Sequence, residues 1–163
     1  MEFDTTVIGL VGIVLCILPF AVLHWNRNKN KKQLQNGLYA IASSVHSDVG
    51  VKDIGFNFAI GVSADKRHLL YYKQTKKNTE EASITFAEVD DCHLDTIKRG
   101  FSTKYGHQSV IEKLELTVLL KDKSKKRFEF YNENEKPQLG DELNLIKKWE
   151  SLVHQCIHAP LLK

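Results

Sequence analysis

The sequence predicts an α+β chain: an amino-terminal transmembrane helix, then an antiparallel β-barrel or roll of about six strands, capped by a carboxy-terminal amphipathic helix. Three patterns carry this expectation. An apolar run near the start holds no charged residue, the middle of the chain alternates with period two, and a period near 3.6 returns after Pro137. At 163 residues the chain is sized for one domain with an appendage. The expected divisions are 1–25 as amino-terminal segment and anchor, 26–33 as a basic juxtamembrane tether, 34–50 as an amphipathic helix, and 51–160 as a β domain with its closing helix.

Val7 to Leu23 carries no charge. From Thr5 to Trp25, 15 of 21 residues are hydrophobic, enough for about 31 Å of helix against a hydrocarbon core of ~30 Å. A helix satisfies its own backbone amides, which lipid requires, and Trp25 sits at the interfacial position. A cleaved signal peptide would begin with positive charge, whereas Glu2 and Asp4 stand there, and no small-residue cleavage pattern follows Leu23.

All 23 Lys and Arg follow Trp25. Arg27, Lys29, Lys31 and Lys32 form the candidate membrane-proximal basic group. The positive-inside rule then expects an inner-membrane, single-pass protein with its amino terminus outside and its carboxy-terminal domain in the cytoplasm. The bilayer is the expected partner of the first helix, with anionic lipid headgroups at the tether. Residues 26–163 carry 23 basic and 18 acidic side chains, a net of +5, and four of those positive charges lie in the tether. The remaining near-neutral domain lacks the basic face that nucleic acid requires. Three cysteines exclude a disulfide scaffold.

Leu34, Leu38, Ile41 and Val45 fall on one helical face, with Gly50 as the expected stop. Ile54, Phe56, Phe58 and Ile60 alternate as a first strand. Ser63 to Lys66 reads as a turn and Leu69 to Lys73 as a second strand. Polar Lys76 to Glu81 reads as a break before a short strand at Ile84 to Phe86. Asp90-Asp91 reads as a bend, followed by a strand through Cys92, Leu94 and Thr96. Arg99 to Gln108, with Gly100 and Gly106, reads as a long connection. Leu114, Leu116, Val118 and Leu120, a turn at Asp122 to Lys125, then Phe128 and Phe130 make the clearest hairpin. Leu139, Leu143, Ile146, Trp149, Val153 and Cys156 trace the stripe of the closing helix, while Leu161 and Leu162 receive no element.

Successive hairpins capped by one helix resemble the pleckstrin-homology-like layout. The order of apolar segment, basic tether, FNFAIGVSADKRHLLYYK, ITFAEVDDCHL, IEKLELTVLLKD, KRFEFYN and LIKKWESLV resembles a family of small single-pass bacterial membrane proteins with such a cytoplasmic domain. Members of that family have no established activity, so the resemblance implies an architecture and no chemistry. The phosphoinositide-binding branch would place a basic fork across its first hairpin. Here Lys66, Arg67 and Lys73 are present, but His68-Leu69-Leu70 stands where the rest of the fork belongs.

Asp90, Asp91, Cys92 and His93 are the densest chemical cluster, yet neighbours on a strand point to opposite faces, which separates a thiol from its base. His154 and His158 share a helical face but lack a third metal ligand. No phosphate loop, nucleophile elbow, H-E-x-x-H or C-x-x-C occurs. The sequence therefore predicts no enzyme and no cofactor. It predicts a membrane-anchored cytoplasmic binding or scaffold module for a membrane or cytoplasmic protein, with the exposed barrel edge and Arg99 to Gln108 as docking surfaces. The alternative is a small-molecule-binding or enzymatic barrel using Asp90, Asp91 and His93.

Overall fold

The computed structural model describes the backbone of residues 3–103 and 106–158, and the side chains of 16–18, 25, 27–100 and 109–158. Among the described residues, two helices, α1 (Phe3–Ser44) and α2 (Glu142–His158), flank seven strands: β1 (Val49–Ile54), β2 (Phe58–Ser63), β3 (His68–Gln74), β4 (Thr79–Thr85), β5 (Val89–Thr103), β6 (Gly106–Leu120) and β7 (Lys125–Asn132). A single 3-10 turn, Phe86–Glu88, links β4 to β5.

The strands form two antiparallel sheets, β1-β2-β3-β4 and β5-β6-β7, and among the described residues no ladder joins them. The expected pleckstrin-homology-like barrel or roll of about six strands is thus corrected to seven strands in two sheets among the described residues. A barrel needs each terminal strand to find a neighbour. Here the 3-10 turn interrupts the ladder between β4 and β5, and α2 lies along the outer edge of β5. The Leu94 amide on that edge donates to Glu150 of α2 at 2.8 Å.

The first helix is corrected as well. Residues 26–33 are turns of the same helix that begins at Phe3, and among the described residues no helix is long and apolar enough to cross a membrane. The single-pass anchor, and with it the inner-membrane placement and its orientation, is therefore not retained. The side chains of 5–15 and 19–24, on which that expectation rested, lie outside the described residues, as do Pro160, Leu161 and Leu162. The described apolar face of α1 serves protein packing instead. Leu34, Leu38, Ile41 and Ala42 are buried against Ala59, Leu70 and Tyr72. Gly37 lets the Tyr72 ring lie directly on the helix, because a Cβ there would overlap the ring.

The helix ends before Gly50. His46 takes the left-handed conformation at φ 56°, the Ser47 amide reaches back to the Ala42 carbonyl at 3.0 Å, and the His46 amide reaches Ser43 at 3.1 Å. This is a Schellman stop with histidine in the position usually held by glycine.

With α1 on one face and β5-β6-β7 on the other, the central strands are covered twice, and every residue of β2 is buried. Double burial accounts for the apolar run Phe58 to Val62. The core between the sheets gathers Phe58, Tyr71, Phe128, Phe130, Leu114, Leu116, Ile146, Trp149 and Val153. Phe58 meets Phe130, and Tyr71 meets Phe128, each at a ring separation of 4.7 Å. Asp53 joins edge strand β1 to α2, accepting from Trp149 Nε1 at 3.0 Å and Lys148 Nζ at 2.6 Å.

Of the segment Arg99 to Gln108, expected as a connection, residues 99–103 belong to β5 and 106–108 to β6. Their ladder runs from Val89↔Leu120 to Thr103↔Gly106, whereas β7 pairs with β6 only between Lys113 and Leu119. Beyond Lys113 the two strands continue as a ribbon with no third strand among the described residues, anchored at its base by one Arg99 guanidinium nitrogen that donates to both Glu133 carboxylate oxygens, at 2.7 and 2.9 Å.

Candidate functional site

The sequence-predicted chemical residues do not converge. Asp90 and Asp91 are exposed on β5, and His93 is half-exposed. His93 faces Asp95 at 3.5 Å and His154 faces Asp91 at 3.8 Å, both pairs lying at the surface. Among the described residues, no group of three or more His, Cys, Asp or Glu is arranged to hold a metal ion. The His154 and His158 rings stack 6.3 Å apart.

Cys92 is buried at 1% exposure, with its thiol directed at the Glu150 carbonyl at 3.7 Å. Burial, followed by the charges of Glu150 and Asp91, pushes the thiol up to about 12. A thiol raised this far stays protonated through neutral and mildly alkaline pH and is no nucleophile. In folded protein at pH 8, a thiol reagent is expected to label exposed Cys16 quickly and to reach Cys92 only on denaturation. Equal labelling rates at Cys16 and Cys92 would contradict the packing.

The basic residues are likewise dispersed. Arg27, Lys29, Lys31 and Lys32 are exposed on successive turns of α1. Lys66 and Arg67 sit in the β2–β3 turn, while Lys73, at the far end of β3, points into the protein and is bound by Glu129 at 2.5 Å and Glu135 at 3.2 Å. No basic fork is assembled from them.

Two grooves remain. The larger, about 730 Å³, lies at one end of the sandwich, between Asn30, Gln33 and Leu34 of α1, the β1–β2 turn at Phe56 and Asn57, the β3–β4 turn at Gln74 to Lys77, and Asn134 and Glu135. Glu135 fixes its wall by accepting from both Asn57 and Lys73. Phe56, expected in a strand, stands on the turn at 56% exposure.

The second groove, about 490 Å³, is the seam between the two sheets. One wall is Glu80, Glu81 and Ala82 of β4, and the other is Lys125, Lys126, Arg127 and Phe128 of β7. Both are terminal strands of their sheets. Consecutive residues on each wall mean that the groove meets strand edges, where backbone groups are exposed. The Phe86 amide bonds the Arg67 carbonyl at 2.8 Å, and Tyr71 registers with Ala82. By antiparallel alternation, Ala82 then exchanges hydrogen bonds with β3, while Glu81 and Ser83 turn theirs to the seam. On β7, the Leu120 amide bonds the Ser124 carbonyl at 2.9 Å and Thr117 registers with Arg127, so Lys125 and Arg127 turn their backbone groups to the same seam. The next such group, the Glu129 carbonyl, accepts from the Tyr71 hydroxyl at 2.7 Å. The seam is thereby closed at the Glu129 end and open toward Lys125. Among the described residues no ion pair crosses between its acidic and basic walls.

Sequence reading missed this site. The charges of Glu80-Glu81 and of Lys125-Lys126-Arg127 are visible in the chain, but both segments read as solvated, and nothing local shows that they face each other.

Comparison with protein-family models, curated proteins and solved structures finds no match to the chain.

Proposed function

We propose that the protein is a non-enzymatic binding module, a scaffold that holds a segment of a partner protein on its β sandwich. One observation carries the reading: two strand edges of opposite charge, neither with a ladder partner among the described residues, line one groove beside Phe128. Exposed edges invite pairing with another chain. Opposite charges on the two walls select against partners of uniform sign, because either sign is repelled by one wall. The test is co-purification of the tagged full-length chain from its native cells, beside a K125E/K126E/R127E variant. A partner in near-stoichiometric amount with the natural chain, reduced at least tenfold with the variant, is the expected outcome. Recovery of the tagged chain alone would remove the proposal.

A second reading, small-molecule binding, draws on the end groove, where carboxamides from Asn30, Gln33, Asn57, Gln74 and Asn134 surround the exposed Phe56 ring. Asp90, Asp91 and His93 do not line it. That reading expects Phe56→Ala to abolish any ligand-induced thermal shift seen with the natural chain.

A further inference from the structure

We infer that the seam takes its partner as an added β-strand, an extended segment lying between β4 and β7 and joining the two sheets. This deepens the binding proposal and rests on it. The backbone chemistry is already in place: Glu81 on one wall, and Lys125 and Arg127 on the other, direct into one gap amides and carbonyls that have no ladder partner among the described residues, and Ser83 follows Glu81 on the same edge, beyond the groove lining. A segment placed there receives ladder bonds from both sides, so affinity comes from its main chain and needs little particular sequence. The wall residues cover three to four positions, so the segment is short, about 10–13 Å at 3.3 Å per residue.

The side chains set the pattern of the occupant. Ala82 shares the core-facing side of its sheet with Tyr71, its register partner, and Phe128 faces the same core. A core-facing residue of the added strand therefore meets a methyl group on one side and a ring on the other, which suits a small β-branched aliphatic side chain. The alternate residues fall between the Glu81 and Arg127 positions. A charge there is attracted by one neighbour and repelled by the other. A hydroxyl accepts from the guanidinium and donates to the carboxylate, so threonine or serine satisfies both. The partner is an uncharged extended segment alternating Val or Ile with Thr or Ser.

The probe is the synthetic peptide acetyl-Lys-Thr-Val-Thr-Val-Thr-Glu-amide, added to the full-length chain and followed by amide NMR and hydrogen exchange. Saturable shifts with slowed exchange at Glu81, Ser83 and Arg127 are expected. Glu81→Pro removes a seam-facing amide and leaves the β3 ladder intact, so it is expected to weaken binding about tenfold, while Glu81→Gln changes it less than threefold. Peptide binding that is indifferent to Glu81→Pro would overturn strand addition. So would absence of peptide binding while the K125E/K126E/R127E variant still loses its co-purified partner, and in both cases a module that binds by another geometry would survive. Failure of both the peptide and the co-purification would remove the two proposals together.

Discussion

Trp149→Ala is expected to be the most damaging single substitution, lowering stability by about 3–5 kcal/mol. The indole is fully buried at 0% exposure among Ile146, Val153 and the inner faces of both sheets. Its removal deletes a large apolar surface and leaves a cavity that rigid neighbouring strands cannot collapse. It also removes the Nε1 donor to Asp53, which together with Lys148 ties α2 to edge strand β1. For a chain of this size that loss lowers the melting temperature by about 10 °C, measured by thermal denaturation followed in the far ultraviolet. Trp149→Phe keeps most of the volume and loses the hydrogen bond, so about 1–2 kcal/mol is expected. A drop under about 3 °C for the alanine variant would show that α2 does not close the core as described. Fluorescence offers an independent check, because the other tryptophan, Trp25, is 77% exposed. The quencher-shielded emission belongs to Trp149.

Lys73→Met comes second, at about 3 kcal/mol. Lys73 is an ammonium on an almost fully buried strand, and Glu129 and Glu135 supply its counter-charge. Removing the cation leaves two carboxylates facing each other with only Lys113, at 3.6 Å, as an ionic partner of Glu129. The pair itself is a modest net contributor, since desolvation offsets its attraction. The damage comes from the charge left behind. Combining Lys73→Met with Glu129→Gln is therefore expected to restore part of the loss, with a coupling above about 1 kcal/mol in the double-mutant cycle. Additive losses would show the three groups to be energetically independent.

The pH dependence of that comparison has a definite sign. Burial disfavours the Lys73 cation, but the hydrogen bonds and charges of Glu129 and Glu135 outweigh it and hold the amine above the ordinary lysine value of 10.5. A cation raised in the folded state contributes stability that is complete below its unfolded value and is lost as pH rises through the folded one. The natural chain and Lys73→Met should differ by a constant amount over about pH 6–9 and draw together only as the pH rises beyond the ordinary lysine range. Denaturant titrations at pH 7, 9 and 11 measure this.

What could be read directly from the chain was whatever depends on local period. The hairpin of β6 and β7 alternates cleanly because one face is core and the other wet. The stripe Ile146, Trp149, Val153 marks the inner face of α2, and Leu34, Leu38, Ile41 mark that of α1. Elements whose environment departs from the usual half-buried surface were misread. Val49–Ile54 is an edge strand carrying Lys52 and Asp53, so its alternation is lost. Thr79–Thr85 is another edge, and its polar start read as a break. The ribbon beyond Lys113 has no sheet to bury a face against, so Arg99 to Gln108 read as a loop. The apolar run at Val7 to Leu23 matched the length of a membrane span, but the described helices contain none that meets the requirement.

Chain order and hydrophobic period thus determined which segments become strands and helices wherever a single face is buried. Tertiary structure alone decided how the two sheets meet. Asp53 and Trp149 stand 96 residues apart in the chain, and Tyr71 and Glu129 stand 58 apart, so their bonds have no local signature. The same holds for the seam: Glu81 and Arg127 are ordinary surface charges in sequence. They come to line one groove because the 3-10 turn separates β4 from β5, so that among the described residues β4 and β7 each end a sheet with no further strand beside them.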